Sequence, residues 1–207
     1  MGLKCDLPMN DDLDNIIRGN TSGKPDRTPV KKWAKVRLWL GYIYLLLLLV
    51  ISHPMMPFLY IGIYVITFGI IIRLAAASAL IKDDQLCTSG IYALTRNPLY
   101  LGSAVIGLGF AFLSASRWAF VYYFIVLVPA YLRMIRLEED YLSKLHPDEF
   151  RKYKFEVPAF FPMKLSWTDV TGKIDTYRII RSREHISTAM FVLFIILILF
   201  IHRTWLL

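Results

Sequence analysis

Two polar clusters interrupt a strongly apolar chain, and they hold the residue types that can do chemistry. The first is TSGIYALTRNPLYLGS, from Thr88 to Ser103. It sets Arg96 and Asn97 directly before Pro98, with Tyr92 and Tyr100 on either side. Asn is a favoured helix N-cap and Pro a favoured first helical residue, so a helix is predicted to start here. A helix start offers unpaired N–H groups and a partial positive charge, and Arg96 adds a planar donor fork. Together they suit a carboxylate; the alternative for Arg96 is snorkelling to lipid head groups. The second cluster is Glu138-Glu139-Asp140, immediately past an apolar run. Acids placed there must face water, pair, or bind a cation. Arg136 stands at helical spacing to pair with Glu139 or Asp140, giving a salt-bridged helix end. The alternative is that one carboxylate takes an ammonium group while the other takes hydroxyls.

A carboxylate receptor opposite an ammonium or hydroxyl receptor fits an amino-acid head group joined to a sugar. S-adenosyl methionine has those parts, and a zwitterionic phospholipid shares some of them. Gly102, Ser103, Ala104, Gly107 and Gly109 line the third apolar run with small residues. That pattern serves either close helix packing or room for a flat ligand. The Gly-Leu-Gly at 107–109 is not a nucleotide fingerprint, because no strand precedes it.

The elements that must position these residues are membrane helices. The chain has 207 residues, is 56% hydrophobic and carries a net charge of +8. Apolar stretches of roughly 18 to 20 residues span a bilayer core. Apolar runs cover about 38–51, from the break at His53-Pro54 and Pro57 to Ile72, 99–114, 118–135 and 186–201. The fold class is therefore an all-α integral membrane protein of about five transmembrane helices with a cytosolic-facing cofactor pocket. The fifth run is short, and an in-plane or re-entrant placement is its alternative. Residues 1–32 read as a polar cytosolic tail, 33–163 as the membrane core, and 164–207 as an extension carrying the fifth helix. After the fourth run, a helix is predicted to continue to Leu145 and to turn at His146-Pro147.

Charge sets the expected orientation. Lys and Arg gather before the first run, within 73–98 and within 133–185, whereas the other connections hold only Arg117. The positive-inside rule then puts the N-terminus and both polar clusters in the cytosol, with the last residues on the far side. The basic residues flank apolar runs, which points to a membrane surface rather than to nucleic acid. Cys5 and Cys87 have no metal-ligand spacing, the four histidines are scattered, and no metal is expected. Asp6 stands where a myristoylation signal needs Ser or Thr, and the polar opening does not read as a signal peptide.

The order of these motifs closely resembles the isoprenylcysteine carboxyl methyltransferase family, including its bacterial members, and the related phospholipid N-methyltransferases. That family carries a G-x-Y turn, an Arg-His-Pro or Arg-Asn-Pro-x-Tyr helix start, a paired Glu after the next helix, and a V-P-x-x-x-P close. Here the matching residues are Gly90, Tyr92, Arg96, Asn97, Pro98, Tyr100, Glu138, Glu139, Tyr153, Val157, Pro158 and Pro162, over about 73–163. The resemblance implies a membrane methyltransferase that uses S-adenosyl methionine and a lipophilic acceptor entering from the bilayer. It implies a cofactor site of Tyr92, Arg96, Asn97, Pro98, Tyr100, Gly102, Glu138 and Glu139, with Arg96, Tyr100 and Glu139 as catalytic residues. Asn97 stands where eukaryotic carboxyl methyltransferases have His, His146-Pro147 where many members have Phe-Gly, and Ala159 where Arg is frequent. These departures leave the acceptor open between a prenylcysteine carboxylate, a lipid amine and another isoprenoid or lipid. Two rival classes are an NADPH-dependent sterol-reductase-like membrane enzyme and a non-catalytic adaptor on the same scaffold. The reductases carry more basic residues around an Arg-Asp-Glu helix end, where this chain has Leu137-Glu138-Glu139.

Overall fold

A computed structural model describes residues 25–79, 86–161 and 176–202. Within them the chain forms helices and no strand: α1 (Thr28–Ile51), α2 (Met56–Ala79), α3 (Pro98–Ser114), α4 (Arg117–Leu145), α5 (Pro147–Glu156), α6 (Thr176–Arg181) and α7 (Glu184–Ile201). A 3₁₀ turn, Gly90–Ala93, precedes α3. By length and composition, α1, α2, α4 and α7 can each cross a membrane. The chain is an all-α integral membrane protein, as its apolar runs imply.

Helix α3 has 17 residues. At 1.5 Å per residue that is about 25 Å, short of a bilayer core of about 30 Å. Its place explains the deficit: 11 of its residues are buried, whereas α7 buries only Glu184 and Ile198. α3 is the enclosed centre, and its neighbours meet the lipid. Phe110 and Leu113 of α3 pack with Ile66 of α2, Tyr44 and Leu48 of α1, Leu127 of α4 and Ile198 of α7 in the main core. Tyrosine hydroxyls tie the bundle across its apolar depth. Tyr44 donates to the Gly107 carbonyl at 3.1 Å, and Tyr123 to that of Ala104 at 2.9 Å. A hydroxyl in hydrocarbon needs a partner, so these bonds fix which faces meet.

The ends of the helices sort into two groups. Near one end the His53 N–H donates to the Ser114 carbonyl at 2.8 Å, and the His202 ring lies 3.0 Å from the Leu49 carbonyl. This joins the α1–α2 turn, the end of α3 and the end of α7. Near the other end Arg73 of α2 pairs with Glu184, the first residue of α7. α7 therefore runs the length of the bundle, and the in-plane placement does not describe it. Both predicted polar clusters lie with Arg73 and Glu184 at this second, polar end.

One boundary differs from the expected division of the chain. α1 begins at Thr28, so residues 28–32 of the expected tail are helical. Apolarity marks only the lipid-facing part of a helix whose first turns are basic. α4 is continuous through Pro129, with a π-turn at Tyr123–Leu127. Proline lacks an N–H and clashes with the carbonyl four residues before it, here Ile125, and widening to a π-turn relieves that clash. The helix ends at Leu145 and α5 starts at Pro147, as the His146-Pro147 turn predicts.

Candidate functional site

The polar end is built by the start of α3, the far part of α4, and the segment after α5. Gly90 takes φ +63, a left-handed conformation that suits glycine and reverses the chain into the 3₁₀ turn. Tyr92, inside that turn, is buried, and burial pushes its phenol well above the ordinary range. It is therefore a neutral hydroxyl. Three contacts then strap residues 92–97 to the chain beyond α5. Tyr153 donates its hydroxyl to the Tyr92 carbonyl at 2.6 Å. The Arg96 N–H donates to the Pro158 carbonyl at 3.0 Å. Thr95 donates to the carbonyls of Ala159 and Phe160, at 3.2 and 3.0 Å. Val157, Pro158 and Ala159 thus join the Arg-Asn-Pro motif physically; Pro162 lies outside the described residues.

Arg96 is the centre of this strap. Its Nε and Nη2 donate to the two oxygens of Glu139, at 3.0 and 3.2 Å, as a fork on a carboxylate. Its Nη1 donates to the carbonyls of Val157 at 2.5 Å and Lys154 at 3.0 Å. Four hydrogen bonds engage a group with five donors. The fork expected to meet a ligand carboxylate here meets the protein's own Glu139, and the Arg96 head is turned into the protein rather than to lipid head groups. Glu139 does not pair with Arg136, which is exposed, as is Asp140. Asn97 occupies the N-cap position of α3, but its side chain makes no capping bond. It donates instead to Glu139 Oε1 at 3.0 Å and to the Ala159 carbonyl at 3.1 Å.

Consecutive helical residues point about 100° apart, so Glu138 and Glu139 address different neighbours. Glu138 accepts a short hydrogen bond from the Tyr100 hydroxyl. Tyr100 lies in the first turn of α3, four residues after Arg96. Its ring also supports the guanidinium of Arg37, from α1, at 5.3 Å from the centroid, and Tyr131 of α4 lies at 5.7 Å from the same cation. Arg27 stands over the Tyr141 ring at 5.1 Å. Arg73 holds Glu184 through Nε at 2.9 Å and Nη2 at 2.8 Å, and it also donates to Ser103. These groups enclose a cavity of about 620 Å³, within the usual range for small-molecule sites of roughly 300–1,000 Å³.

Of the residues predicted to form the site, Tyr92, Arg96, Asn97, Pro98, Tyr100, Glu138 and Glu139 all line this cavity. Gly102 does not. A Cβ there would lie 2.6 Å from Arg73 Cγ and 2.9 Å from the Gly69 carbonyl oxygen, so Gly102 sits in the α2–α3 seam. Of the two uses open to the small residues, Gly102 serves close packing. It makes room for the stem of Arg73, whose head reaches the cavity. Arg27, Arg37, Arg73 and Glu184 also line the cavity and were not among the predicted residues. An Arg within a membrane helix is a functional signal by default, and that signal was present at Arg37 and Arg73. Among the described residues, no group of three His, Cys, Asp or Glu side chains is arranged to hold a metal.

The family model for phospholipid methyltransferases matches residues 36–149, more than half of the chain. The chain belongs to this family. Two curated proteins are similar to part of the chain. A protein-S-isoprenylcysteine O-methyltransferase of Schizosaccharomyces pombe is 33% identical over 82 residues, covering 40% of this chain and 35% of the relative. A cobalt-zinc-cadmium resistance protein, CzcN, of Cupriavidus metallidurans is 35% identical over 81 residues, covering 39% of this chain and 37% of the relative. The chain thus spans about a third of the length of the curated relatives it matches. No solved structure matches it. In family terms, the matched residues include Arg37, Arg73, both polar clusters and the whole of α4, but stop short of the strap at 157–160.

Proposed function

We propose that this chain is a membrane methyltransferase that takes a methyl group from S-adenosyl methionine and passes it to a lipophilic acceptor. The observation that carries the reading is the cavity at the polar end. It sets a carboxylate, Glu138, close to Arg37, which has no ion-pair partner among the described residues, and it does so within a phospholipid methyltransferase family member. The donor set fits the proposed cofactor: acids for an ammonium and for hydroxyls, guanidinium for a carboxylate, aromatic rings for flat surfaces. The cofactor, when bound, supplies an electrophilic methyl group, and transfer is an in-line displacement that needs no covalent enzyme intermediate.

The chain's own residues then bind, orient and exclude water. Glu138, positioned by Tyr100, is the acid available to an ammonium or to ribose hydroxyls. Glu139 and Arg96, proposed from sequence as catalytic and cofactor-binding, act in this reading by holding the α3 start against the strap. Tyr92, Asn97 and Pro98 form the cavity wall, and Tyr100 with Glu138 is the pair able to take a proton from an amine acceptor. A carboxylate acceptor needs no such base. The printed name of the S. pombe relative favours a prenylated cysteine carboxylate as the first acceptor to test. The positive-inside pattern supports a cytosolic N-terminus and a cytosolic opening for the donor, with the acceptor arriving from the bilayer.

The test is a methyl-labelled S-adenosyl methionine transfer assay on membranes containing the protein, with lipid and prenylcysteine acceptors. A thermal shift with S-adenosyl homocysteine but not with NADPH is expected. Absence of both a shift and any labelled product would sink the reading, and a shift with NADPH alone would favour the reductase class.

A further inference from the structure

The charges facing the cavity do not pair off completely. Arg96 pairs with Glu139, and Arg73 with Glu184. Glu138 accepts from Tyr100. Arg37 differs from the other cations. It lies against the rings of Tyr100 and Tyr131, and its Nε is buried without a hydrogen-bond partner among the described residues. An arginine that only anchored α1 at a lipid surface would extend its head outward to water and phosphate. This one is folded inward, between aromatic faces that fix its plane. A planar fork held in one orientation beside a cavity, with one buried donor left unsatisfied, matches a bidentate carboxylate.

The surroundings narrow the ligand further. Tyr100 touches both Arg37, through its ring, and Glu138, through its hydroxyl. One residue therefore separates a cation from an anion on the same wall. That spacing suits a ligand carrying its own carboxylate and a nearby amine or hydroxyl.

We propose that Arg37 is the carboxylate receptor of the cavity, the role that sequence spacing suggested for Arg96. The inference rests on the methyltransferase reading for the identity of its ligands. Two sources share this chemistry: the amino-acid end of the methyl donor, and the carboxylate of a prenylcysteine acceptor.

The experiment titrates four probes onto the full-length protein in lipid nanodiscs, for the wild type, Arg37→Gln and Arg37→Lys. S-adenosyl homocysteine carries the carboxylate and 5′-methylthioadenosine lacks it. N-acetyl-S-farnesylcysteine carries a carboxylate and its methyl ester does not. Losing a charge-assisted fork weakens binding by about 10- to 100-fold. If the donor is the source, Arg37→Gln weakens S-adenosyl homocysteine by that factor and leaves 5′-methylthioadenosine within about twofold. If the acceptor is the source, the same loss falls on the farnesylcysteine acid and spares its ester. Arg37→Lys keeps the charge but not the fork, gives an intermediate loss, and decides the matter if the glutamine variant does not fold. Equal effects on the acid and its carboxylate-free counterpart in both pairs, or no effect in either, overturn the proposal. Wild-type protein that binds neither adenosyl probe refutes the donor reading separately, and the acid–ester pair alone then decides Arg37.

Discussion

The two sides of the cavity are built differently. On the side of the α3 start, every strong group is engaged: Arg96 with Glu139 and two carbonyls, Asn97 with Glu139 and Ala159, Thr95 with two carbonyls. On the side of α1, Arg37 lies against the rings of Tyr100 and Tyr131, and its Nε has no partner among the described residues. Both sides contain an arginine and a glutamate close in space. They differ in what satisfies them. A closed network holds shape, and an open one holds a guest. Residue type alone does not tell the two apart, because Arg96 stands in the more recognisable motif and yet faces its own chain.

The largest expected effect breaks the closed side. Arg96→Ala removes the guanidinium from Glu139 and from the carbonyls of Lys154 and Val157. Removing one member of a buried ion pair costs about 3–5 kcal/mol. Arg96 and Glu139 side chains retain only 7% and 14% of their exposure, so this scale applies. Chemical unfolding in detergent should show the loss before any ligand is added, and an unchanged midpoint would mean the network does not hold the fold. Pairing Arg96→Met with Glu139→Leu should recover much of the stability, since an apolar pair replaces a buried ionic one at little net cost.

Gly102→Val is next. Its Cβ would meet Arg73 Cγ at 2.6 Å and the Gly69 carbonyl at 2.9 Å, and such overpacking costs about 1–3 kcal/mol. Because backbone bounds one side of the gap, α2 and α3 must separate. Wild-type thermal stability in this variant would show that the seam is not tight.

Tyr100→Phe sharpens the comparison on the open side. It keeps the ring under Arg37 and removes the hydroxyl from Glu138. A hydrogen bond to a charged group contributes about 1.5–3 kcal/mol. The expected result is weaker binding of S-adenosyl homocysteine together with a fall in melting temperature smaller than that of Arg96→Ala; unchanged binding would mean that Tyr100 does not position Glu138 for a ligand. Tyr153→Phe is the smallest. It deletes the bond to the Tyr92 carbonyl, costs about 1 kcal/mol, and should loosen the strap as measured by amide exchange of residues 92–97.

Much of this molecule was legible in its sequence, and the limits have physical causes. Apolar runs placed each membrane helix because hydrocarbon admits few charges over that length. The Pro98 and Pro147 helix starts were readable because proline constrains its own neighbourhood. The clustering of the two polar segments followed from topology, since successive helices return to the same end. Partner choice was not legible. Glu139 had a local candidate in Arg136 at helical spacing and a remote one in Arg96, and burial favours the remote fork. Asn97 read as a cap, and a carboxylate near its amide outcompetes its own backbone. Arg37 and Arg73 were visible only as basic residues at apolar borders. Their roles depend on rings and glutamates from other helices, which spacing along one helix does not reveal.

The π-turn at Tyr123–Leu127 has a consequence at the polar end. A π-turn holds one more residue than the α-turn it replaces, so it shifts the phase of everything after it by about 100°. Glu138 lies 11 residues beyond Leu127, about 16 Å along the axis. The compass bearing of both glutamates is therefore set in the apolar interior, at a point where proline forces the backbone to widen. Deleting one residue there would restore a regular helix and turn the glutamates away from their present neighbours, with no change at either glutamate itself.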